Sequence, residues 1–357
     1  MEQKVKVNNV QQSLDTPERE AEFNRRRAAG HEAEYKKNRR EWVENPEKGL
    51  IGDYPLHVDL ELSSACNLTC PMCPTVTDQY KENVELKLMK YELFTKIIDE
   101  IGPKGVYSIR VSWVGESTMH KKFIDCIKYA KAHGIKEVST LTNGYKLKDP
   151  AYCDQIVEAQ LDWITVSVDG VDSVYEEIRT PITFQDIQDG LRNLKEARQR
   201  AGSLKPGIKI QGVWPAVKKD ADRYMDVFTP ITDLIYTNPL IDYLHNDREI
   251  EYVPNFTCYQ PFQRLVIRSN GDAVMCSNDD MGKVVIGDAN KETVHEIWHG
   301  AKMEAVRKMH AEHRATKENP VCARCYVPRA REMEPAVVKG RAVEIEGYKG
   351  RVQEIGK

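Results

Sequence analysis

The sequence predicts an α/β fold in which a partial (β/α)6 barrel of the TIM-like type is followed by a small C-terminal module. Between residues 51 and 246, six β-rich segments alternate with helical segments, which favours parallel strands joined by crossover helices. After residue 246 this alternation stops. Seven of the nine cysteines fall into two spaced sets, one in each region. A chain of 357 residues is long enough for a barrel and one appended module.

The six predicted strands are short and are separated by amphipathic helices near residues 91–101, 121–134, 152–160, 184–200 and 221–228. In chain order the strand segments are LHVDLELS (56–63), YSIRVSWVG (107–115), EVSTLTNG (137–144), DWITVSVDG (162–170), GIKIQGVW (207–214) and TDLIYTNP (232–239).

The two ends of the chain are predicted to lie outside the barrel. Residues 1–50 are dominated by charge and predict a helical extension, either solvated or packed at an edge, or a partner contact. Residues 247–330 form the second module, which contains a hairpin-like stretch turning at Asn270 and Gly271. Residues 331–357 are a charged tail with no predicted structure.

Polar and apolar side chains alternate cleanly along the strands. In the first strand Val58, Leu60 and Leu62 are apolar, whereas His57, Asp59 and Glu61 are polar. The apolar face of a barrel strand meets the helices, so the polar face points inward and predicts a cavity for a hydrophilic molecule. An open sheet with one wetted face is the alternative. The inward-facing candidates for a catalytic base and for substrate anchoring are His57, Asp59, Glu61 and Arg110, with Asp242 a weaker one.

Composition excludes several classes of function. The net charge of −3 offers no electrostatic basis for binding nucleic acid. No apolar run approaches the length of a membrane span, and no secretory signal is present, so we expect a cytoplasmic protein. Nine cysteines in such a chain are expected to be ligands rather than disulfides.

The first cysteine set, Cys66, Cys70 and Cys73, follows the first predicted strand in the segment SSACNLTCPMCP. Three thiolates in one loop can hold a [4Fe-4S] cluster and leave one iron without a protein ligand. A structural zinc site would need a fourth ligand nearby. This CxxxCxxC loop resembles that of the radical S-adenosylmethionine enzyme superfamily, in which the open iron binds the amino and carboxylate groups of S-adenosylmethionine.

The resemblance extends to further positions and implies which residues contact S-adenosylmethionine. Gly115 and Glu116 match the family's GGE motif, with Val114 in place of the first glycine. Arg179 resembles an arginine that binds the methionine carboxylate. The complete set of implied contacts is Gly115, Glu116, Asn143, Ser167, Asp169, Arg179 and Gln211, of which Gln211 matches only loosely.

The second cysteine set, Cys258, Cys276, Cys322 and Cys325, provides four soft ligands for either zinc or a fully ligated [4Fe-4S] cluster. The segment resembles the SPASM or shorter Twitch extension of radical enzymes. It lacks the later cysteines of a full SPASM domain, which implies one auxiliary cluster and two [4Fe-4S] clusters in all.

The resemblance implies an oxidoreductase that forms a 5′-deoxyadenosyl radical, with flavodoxin or ferredoxin as the reductant and a polar sugar-like or aminocyclitol-like molecule as substrate. The auxiliary cluster is suited to accept an electron, which points to dehydrogenation. Peptide modification, sugar epimerisation and a non-catalytic scaffold are the alternatives. Cys126 and Cys153 are expected to be buried on outer helices, which disfavours epimerisation because that reaction needs an interior hydrogen donor.

Overall fold

The computed structural model describes residues 11–244, 247, 249–351 and 354–355. The strands are β1 (Gln12–Ser13), β2 (His57–Leu60), β3 (Ser108–Arg110), β4 (Glu137–Thr142), β5 (Trp163–Ser167), β6 (Gly207–Val213), β7 (Leu234–Asn238), β8 (Arg264–Ile267), β9 (Asp272–Val274), β10 (Val285–Asp288), β11 (Arg331–Val338) and β12 (Arg341–Tyr348). The helices are α1 (Pro17–Ala28), α2 (Glu32–Lys48), α3 (Asp78–Asn83), α4 (Tyr91–Ile101), α5 (Phe123–Ala132), α6 (Pro150–Glu158), α7 (Asp172–Ile178), α8 (Phe184–Arg200), α9 (Trp214–Val217), α10 (Ala221–Phe228), α11 (Val294–Trp298), α12 (Ala301–Ala311) and α13 (Ala315–Glu318).

The six predicted strands lie side by side in chain order and are all parallel. One ten-stranded sheet has the order β1-β7-β6-β5-β4-β3-β2-β8-β9-β10, and β2 to β7 form its parallel core. The α/β fold with a partial barrel is therefore confirmed. Because the strands are parallel, their carboxyl ends lie at one edge, where the functional loops of such sheets meet.

The apolar strand faces pack under the outer helices, as the alternation predicts. Val58 and Leu60 of β2 and Ile109 of β3 are fully buried in the main core cluster. The same cluster includes Ile97 and Ile98 of α4. Cys126 of α5 and Cys153 of α6 are also fully buried, which confirms the prediction for these two cysteines.

The charged N-terminal extension forms two helices, and both pack across the amino ends of the barrel strands. Gly30, with φ +85°, separates α1 from α2. Phe23 of α1 packs edge-on against Trp163 at the start of β5, and Trp42 of α2 packs edge-on against His57 at the start of β2. These contacts agree with the alternative of packing at an edge, although the extension forms two helices, because widely spaced aromatic residues provide buried contacts within a charged segment.

The C-terminal module continues the barrel sheet instead of folding apart from it. β8 is parallel to β2, and β9 is antiparallel to β8 across the predicted turn, where Gly271 has φ +98°. The predicted boundary at residue 246 lies outside the described residues. In the C-terminal tail, the described residues form the antiparallel pair β11 and β12, which the sequence had not predicted.

No helix in the described part of the chain is long and apolar enough to cross a membrane.

Candidate active site and iron-sulfur ligands

The first three cysteines lie in the loop after β2, at the carboxyl edge of the sheet. The residues before the loop are held by side-chain hydrogen bonds, because Tyr80 Oη donates to Ser64 O at 3.0 Å and Ser64 Oγ donates to Glu85 O at 2.9 Å. Within the loop, Cys73 N donates to Cys70 O at 3.0 Å. The loop backbone is therefore ordered by the protein itself.

The three thiols are close enough to influence one another electrostatically. Burial, with smaller contributions from the nearby Glu116, Cys73 and Cys70, raises the pKa of Cys66 to about 11. Three mutually repelling thiolates are stabilised when they bind positively charged iron. The donor set therefore fits an iron-sulfur cluster.

Gly115 packs directly against the backbone of residues 63–65, which leads into the cysteine loop. A Cβ atom at this position would lie 2.4 Å from Ser63 O and 2.5 Å from Ala65 O, so only glycine fits. The next residue, Glu116, donates its backbone N–H to Ala65 O at 2.8 Å. This close approach joins the end of β3 to the residue directly before Cys66.

The Glu116 carboxylate ties β3 to β4. It accepts hydrogen bonds from Thr118 Oγ1 at 2.7 Å, Thr142 Oγ1 at 2.8 Å and Asn143 N at 2.8 Å. Asn143 in turn donates through Nδ2 to Asn67 Oδ1, inside the cysteine loop, at 2.8 Å. Glu116 and Asn143 are thus brought together beside the cysteines.

The remaining predicted contacts lie at the ends of β5 and β6. Arg179 Nε donates to Asp169 Oδ2 at 2.7 Å, and Val213 N donates to Asp169 Oδ1 at 2.8 Å. Ser167 and Gln211 face each other in register. Burial raises the pKa of Cys70, and the positive charge of Arg179 opposes this rise, which places the guanidinium near the cysteine loop.

Two of the predicted interior residues, His57 and Asp59, lie in an ion-pair network toward the amino ends of the strands. Asp59 is fully buried and contacts His57 Nε2 at 3.0 Å, Arg110 Nε at 2.8 Å and Arg264 at 3.2 Å. Burial raises the pKa of Asp59, but Arg110 and Arg264 more than offset this and hold the pKa far below its usual range. Asp59 therefore stays ionised and paired.

Glu61 and Asp242 occupy different surroundings. Glu61 Oε2 accepts from Ser269 N and Oγ, both at 3.0 Å, while Oε1 is buried without a partner, and burial raises the pKa of Glu61. Asp242 is buried and pairs with Arg329 at 3.6 Å and Arg351 at 3.4 Å. Asp242 therefore has a structural ion-pair role, whereas Glu61 keeps one oxygen open.

The four later cysteines gather beside the barrel edge. Burial raises the pKa of Cys276, and Cys322, Cys325 and Cys258 raise it further, so the four thiols share one environment. An apolar cavity of about 400 Å³ is lined by all four. Asn278 Nδ2 donates to Cys325 Sγ at 3.3 Å, a contact that tunes a thiolate ligand.

The spacing of these sulfur atoms does not suit a single zinc ion. In the described part of the chain, no three cysteine Sγ atoms lie within 4.8 Å of one another. A tetrahedral zinc site with Zn–S bonds of about 2.3 Å requires sulfur atoms about 3.8 Å apart. In a [4Fe-4S] cluster each thiolate binds a different iron, so the sulfurs are farther apart. The donor geometry fits the cluster better.

A second pocket lies between the end of β7 and the second cysteine set, and sequence reasoning missed two of its residues, Tyr243 and Asp280. Asp280 Oδ2 is buried without a partner, and burial together with the nearby charge of Asp279 raises the pKa of Asp280 to about 6. Burial also raises the pKa of Tyr243, and Asp280, Cys73 and Cys325 add to that effect.

Tyr243 is therefore close to Cys73 of the first cysteine set and to Cys325 of the second. Neither Tyr243 nor Asp280 is on a strand, so the strand alternation could not find them. The available signal was the pair Asp279 and Asp280, directly after the ligand segment of Cys276.

Two family models match the chain. The model for the radical SAM superfamily matches residues 60–208, and the SPASM model, described as an iron-sulfur cluster-binding domain, matches residues 258–326. The matched ranges include all seven predicted cysteine ligands.

Similar curated proteins match in part. The tungsten-containing aldehyde ferredoxin oxidoreductase cofactor-modifying protein of Pyrococcus furiosus is 30% identical over 160 residues, which are 43% of this chain and 42% of that protein. A GTP 3′,8-cyclase of Psychromonas ingrahamii is 28% identical over 155 residues, with coverages of 43% and 42%. The match spans less than half the length of either relative.

Solved structures share the fold over more of the chain. BtrN in complex with AdoMet and 2-DOIA has a TM-score of 0.52 and 17% identity, covering 76% of this chain and 92% of BtrN. Streptococcus suis SuiB bound to S-adenosylmethionine has a TM-score of 0.54 and 14% identity, covering 83% of this chain and 78% of SuiB.

Both family matches agree with the structure, in which Gly115 packs against the ordered three-cysteine loop and four further cysteines lie together in the C-terminal module. These domains imply an enzyme that binds a [4Fe-4S] cluster and S-adenosylmethionine. The chain belongs to the radical SAM superfamily and carries a C-terminal SPASM iron-sulfur cluster-binding domain.

Proposed function

We propose that this enzyme is an oxidoreductase that dehydrogenates a polar sugar-like or aminocyclitol-like substrate. The observation that carries the proposal is a cavity lined by Tyr243, Asp280 and Cys325 of the second cysteine set, in which Tyr243 is also close enough to Cys73 of the first set to interact with it electrostatically. In this proposal a substrate bound there gives its hydrogen atom toward the first set and its remaining electron toward the second.

Each cofactor has its own residues in this proposal. Cys66, Cys70 and Cys73 hold the first [4Fe-4S] cluster, and Cys258, Cys276, Cys322 and Cys325 hold a second one. When bound, the first cluster and S-adenosylmethionine supply a radical that takes a hydrogen atom, and the second cluster supplies a one-electron acceptor. A low-potential flavodoxin or ferredoxin is the proposed reductant.

The contacts to S-adenosylmethionine come from the carboxyl ends of the strands. Arg179 supplies a positive charge near Cys70. Asn143, which follows β4, places its Nδ2 atom 4.0 Å from Cys66 Sγ. The proposed set is Gly115, Glu116, Asn143, Ser167, Asp169, Arg179 and Gln211.

Asp280 is the proposed base. Oxidation of an alcohol carbon to a carbonyl releases one hydrogen atom, one electron and the hydroxyl proton. The Asp280 Oδ2 atom accepts that proton, since it is buried and has no other partner. A carboxylate whose pKa is about 6 is largely ionised at neutral pH and is basic enough for the task.

The earlier interior candidates take supporting roles. Arg110 pairs with Asp59 and also influences Tyr243, so it reaches from the ion-pair network toward the cavity and can anchor a polar substrate. Asp59 and His57 orient Arg110. Glu61, whose Oε1 atom is buried without a hydrogen-bond partner, is a second proposed acceptor for a substrate hydroxyl.

Peptide modification is the second candidate function. The structure of SuiB bound to its precursor peptide SuiA matches over 90% of this chain with a TM-score of 0.54. Epimerisation has less support, because Cys126 and Cys153 are fully buried on outer helices and Cys153 donates to Leu147 O at 3.2 Å.

The central experiment uses anaerobically reconstituted enzyme with S-adenosylmethionine, a low-potential reductant and a panel of deuterated amino sugars and aminocyclitols. We expect deuterium to appear in 5′-deoxyadenosine, together with a product two mass units lighter than unlabelled substrate. Absence of 5′-deoxyadenosine with every electron donor would refute the radical chemistry. Turnover of a precursor peptide alone would favour the second candidate.

The role of Asp280 is tested with Asp280→Asn and the conservative Asp280→Glu. With Asn, we expect deuterium transfer into 5′-deoxyadenosine to persist while oxidised product falls by about 10²-fold or more, because only the proton acceptor is lost. Glu restores product in part and shifts the pH profile. Equal product from Asn and wild type contradicts the assignment.

A further inference from the structure

A group of metal-ligand side chains lies outside the two cysteine sets, where α11 meets the segment before β2. Asp53, His295 and His299 each offer one ligand atom, and these atoms all lie within 4.8 Å of one another. His295 Nε2 is 3.1 Å from Asp53 Oδ1, and His299 Nε2 is 2.9 Å from the Asp53 carbonyl oxygen. Both imidazoles therefore direct the same nitrogen toward Asp53.

The two histidines are four residues apart, which places them on one face of a helical turn. Their rings are 4.6 Å apart between centroids. Tyr54 packs against His295 with a centroid distance of 5.3 Å and limits the rotation of that ring. The two histidine side chains are thus held toward Asp53 by their spacing on the helical turn, by the packing of Tyr54 and by their hydrogen bonds to Asp53.

The backbone at this site is fixed by contacts that do not involve the three side chains. Trp298 Nε1 donates to Gly52 O at 3.0 Å and ties α11 to the segment before β2. At the other end of α11, Val294 N and His295 N donate to the Glu100 carboxylate at 2.8 and 2.9 Å. Only the exposed ends of the ligand side chains need to move to admit an ion.

We propose that Asp53, His295 and His299 bind a divalent transition-metal ion, with zinc as the best fit. Two imidazole nitrogens and one carboxylate oxygen are ligands that zinc takes at about 2.0–2.2 Å, which requires the present atoms to close by less than about 1 Å. Water completes the coordination because the site is open to solvent. Thiolate-preferring ions are excluded by the absence of sulfur from this donor set.

The bound ion joins residues 52–54, which lead from α2 into β2, to the helix of the SPASM domain. It adds a link between two parts of the chain that carry the two cysteine sets. Its role is therefore structural, and it is independent of the proposed dehydrogenation.

The test measures zinc in the fully reconstituted holoenzyme after incubation with micromolar ZnCl₂ and removal of free metal. We expect one bound zinc ion per chain and a higher melting temperature in the wild type. The double variant His295→Gln/His299→Gln loses both effects, and Asp53→Asn weakens zinc binding. The exposed His313, changed to Gln, serves as the matched control and retains both effects.

Iron and sulfide are counted in every sample, so that zinc entering the cysteine sites is recognised by loss of iron. Zinc uptake that is equal in the double variant, that occurs only as iron is lost, or that is absent from the wild type overturns the proposal. The assay for 5′-deoxyadenosine is run on separate enzyme to which no zinc is added, so none of these results bears on the proposed function.

Discussion

Gly115 lies against the backbone that leads into the first cysteine set, and a larger residue there would displace it. A methyl group there would lie within 2.5 Å of two backbone oxygens in residues 63–65, directly before Cys66. Backbone atoms cannot rotate away as a side chain can. We expect Gly115→Ala to displace the cysteine loop and lower the iron content of the first site, measured by iron and sulfide analysis after reconstitution.

Gly347 provides the matched control for that substitution. A Cβ atom at Gly347 would be 3.9 Å from its nearest neighbour, Glu332 O, and its backbone does not require glycine. Gly347→Ala should retain full iron. If Gly115→Ala also retains full iron, the proposed coupling between this glycine and the loop is incorrect.

Lys209 on β6 predicts an unusual pH dependence of stability. Burial, with a smaller contribution from the positive charge of Arg27, lowers the pKa of Lys209 to about 7, although Nζ donates to Gln11 Oε1 at 2.6 Å. An unfolded lysine has a pKa of about 10.4, so the unfolded state binds more protons between about pH 7 and pH 10. In this window the contribution of Lys209 to stability rises with pH.

Lys209→Met removes the free-energy cost of deprotonating this buried lysine when the protein folds. At pH 7 we expect the variant to be more stable than wild type by about 2–4 kcal/mol, and the difference should shrink as the pH approaches 10. Urea unfolding followed by circular dichroism at several pH values measures it. A constant difference across the range would mean that Lys209 is charged in the folded protein.

At the residue scale, spacing along the chain predicted the cysteines far better than it predicted a base. Ligands in one loop are close in sequence, so their spacing alone predicts Cys66, Cys70 and Cys73. Asp280 lines its pocket only because its loop comes beside residues 241–243, which follow β7, and no local pattern encodes that contact. Asp59 is buried and pairs with Arg110 and Arg264, and these ion pairs depend on the strands β2, β3 and β8 meeting, which the sequence pattern does not encode.

At the element scale, the parallel strands were predictable because each buries one face and leaves the other polar. The crossing of α1 and α2 over the strand amino ends was not. Its contacts link distant residues, such as Arg27 to Glu137 at 2.9 Å. Part of the polar strand surface thus serves to pair these helices with the barrel.

Trp42 tests the importance of α2 to the barrel. It is buried, packs on His57, and lies 5.1 Å from the Arg264 guanidinium. Trp42→Ala leaves a cavity at the strand amino ends and should lower the free energy of unfolding by about 3–5 kcal/mol, measured by urea unfolding. Iron content in the folded variant should stay at the wild-type level. A loss below 1 kcal/mol would indicate that α2 is dispensable for barrel stability.

At the scale of the whole molecule, the two cysteine sets are held in one rigid frame because β2 pairs with both β3 and β8. The first set follows β2, and the hairpin that begins with β8 leads to Cys276. Their separation is therefore set by a shared sheet. A fixed separation suits the proposed transfer of an electron from substrate to a second cluster.

Cys322→Ser tests that arrangement. Removing one of four ligands should lower the iron content from about eight to about four atoms per chain. Reductive cleavage of S-adenosylmethionine to 5′-deoxyadenosine should continue, since it needs only the first set, while oxidised product is lost with its electron acceptor. Cys126→Ala, a buried cysteine on an outer helix, should retain both the iron and the product. Full product formation by a Cys322→Ser enzyme with four irons would rule out the second cluster as the electron acceptor.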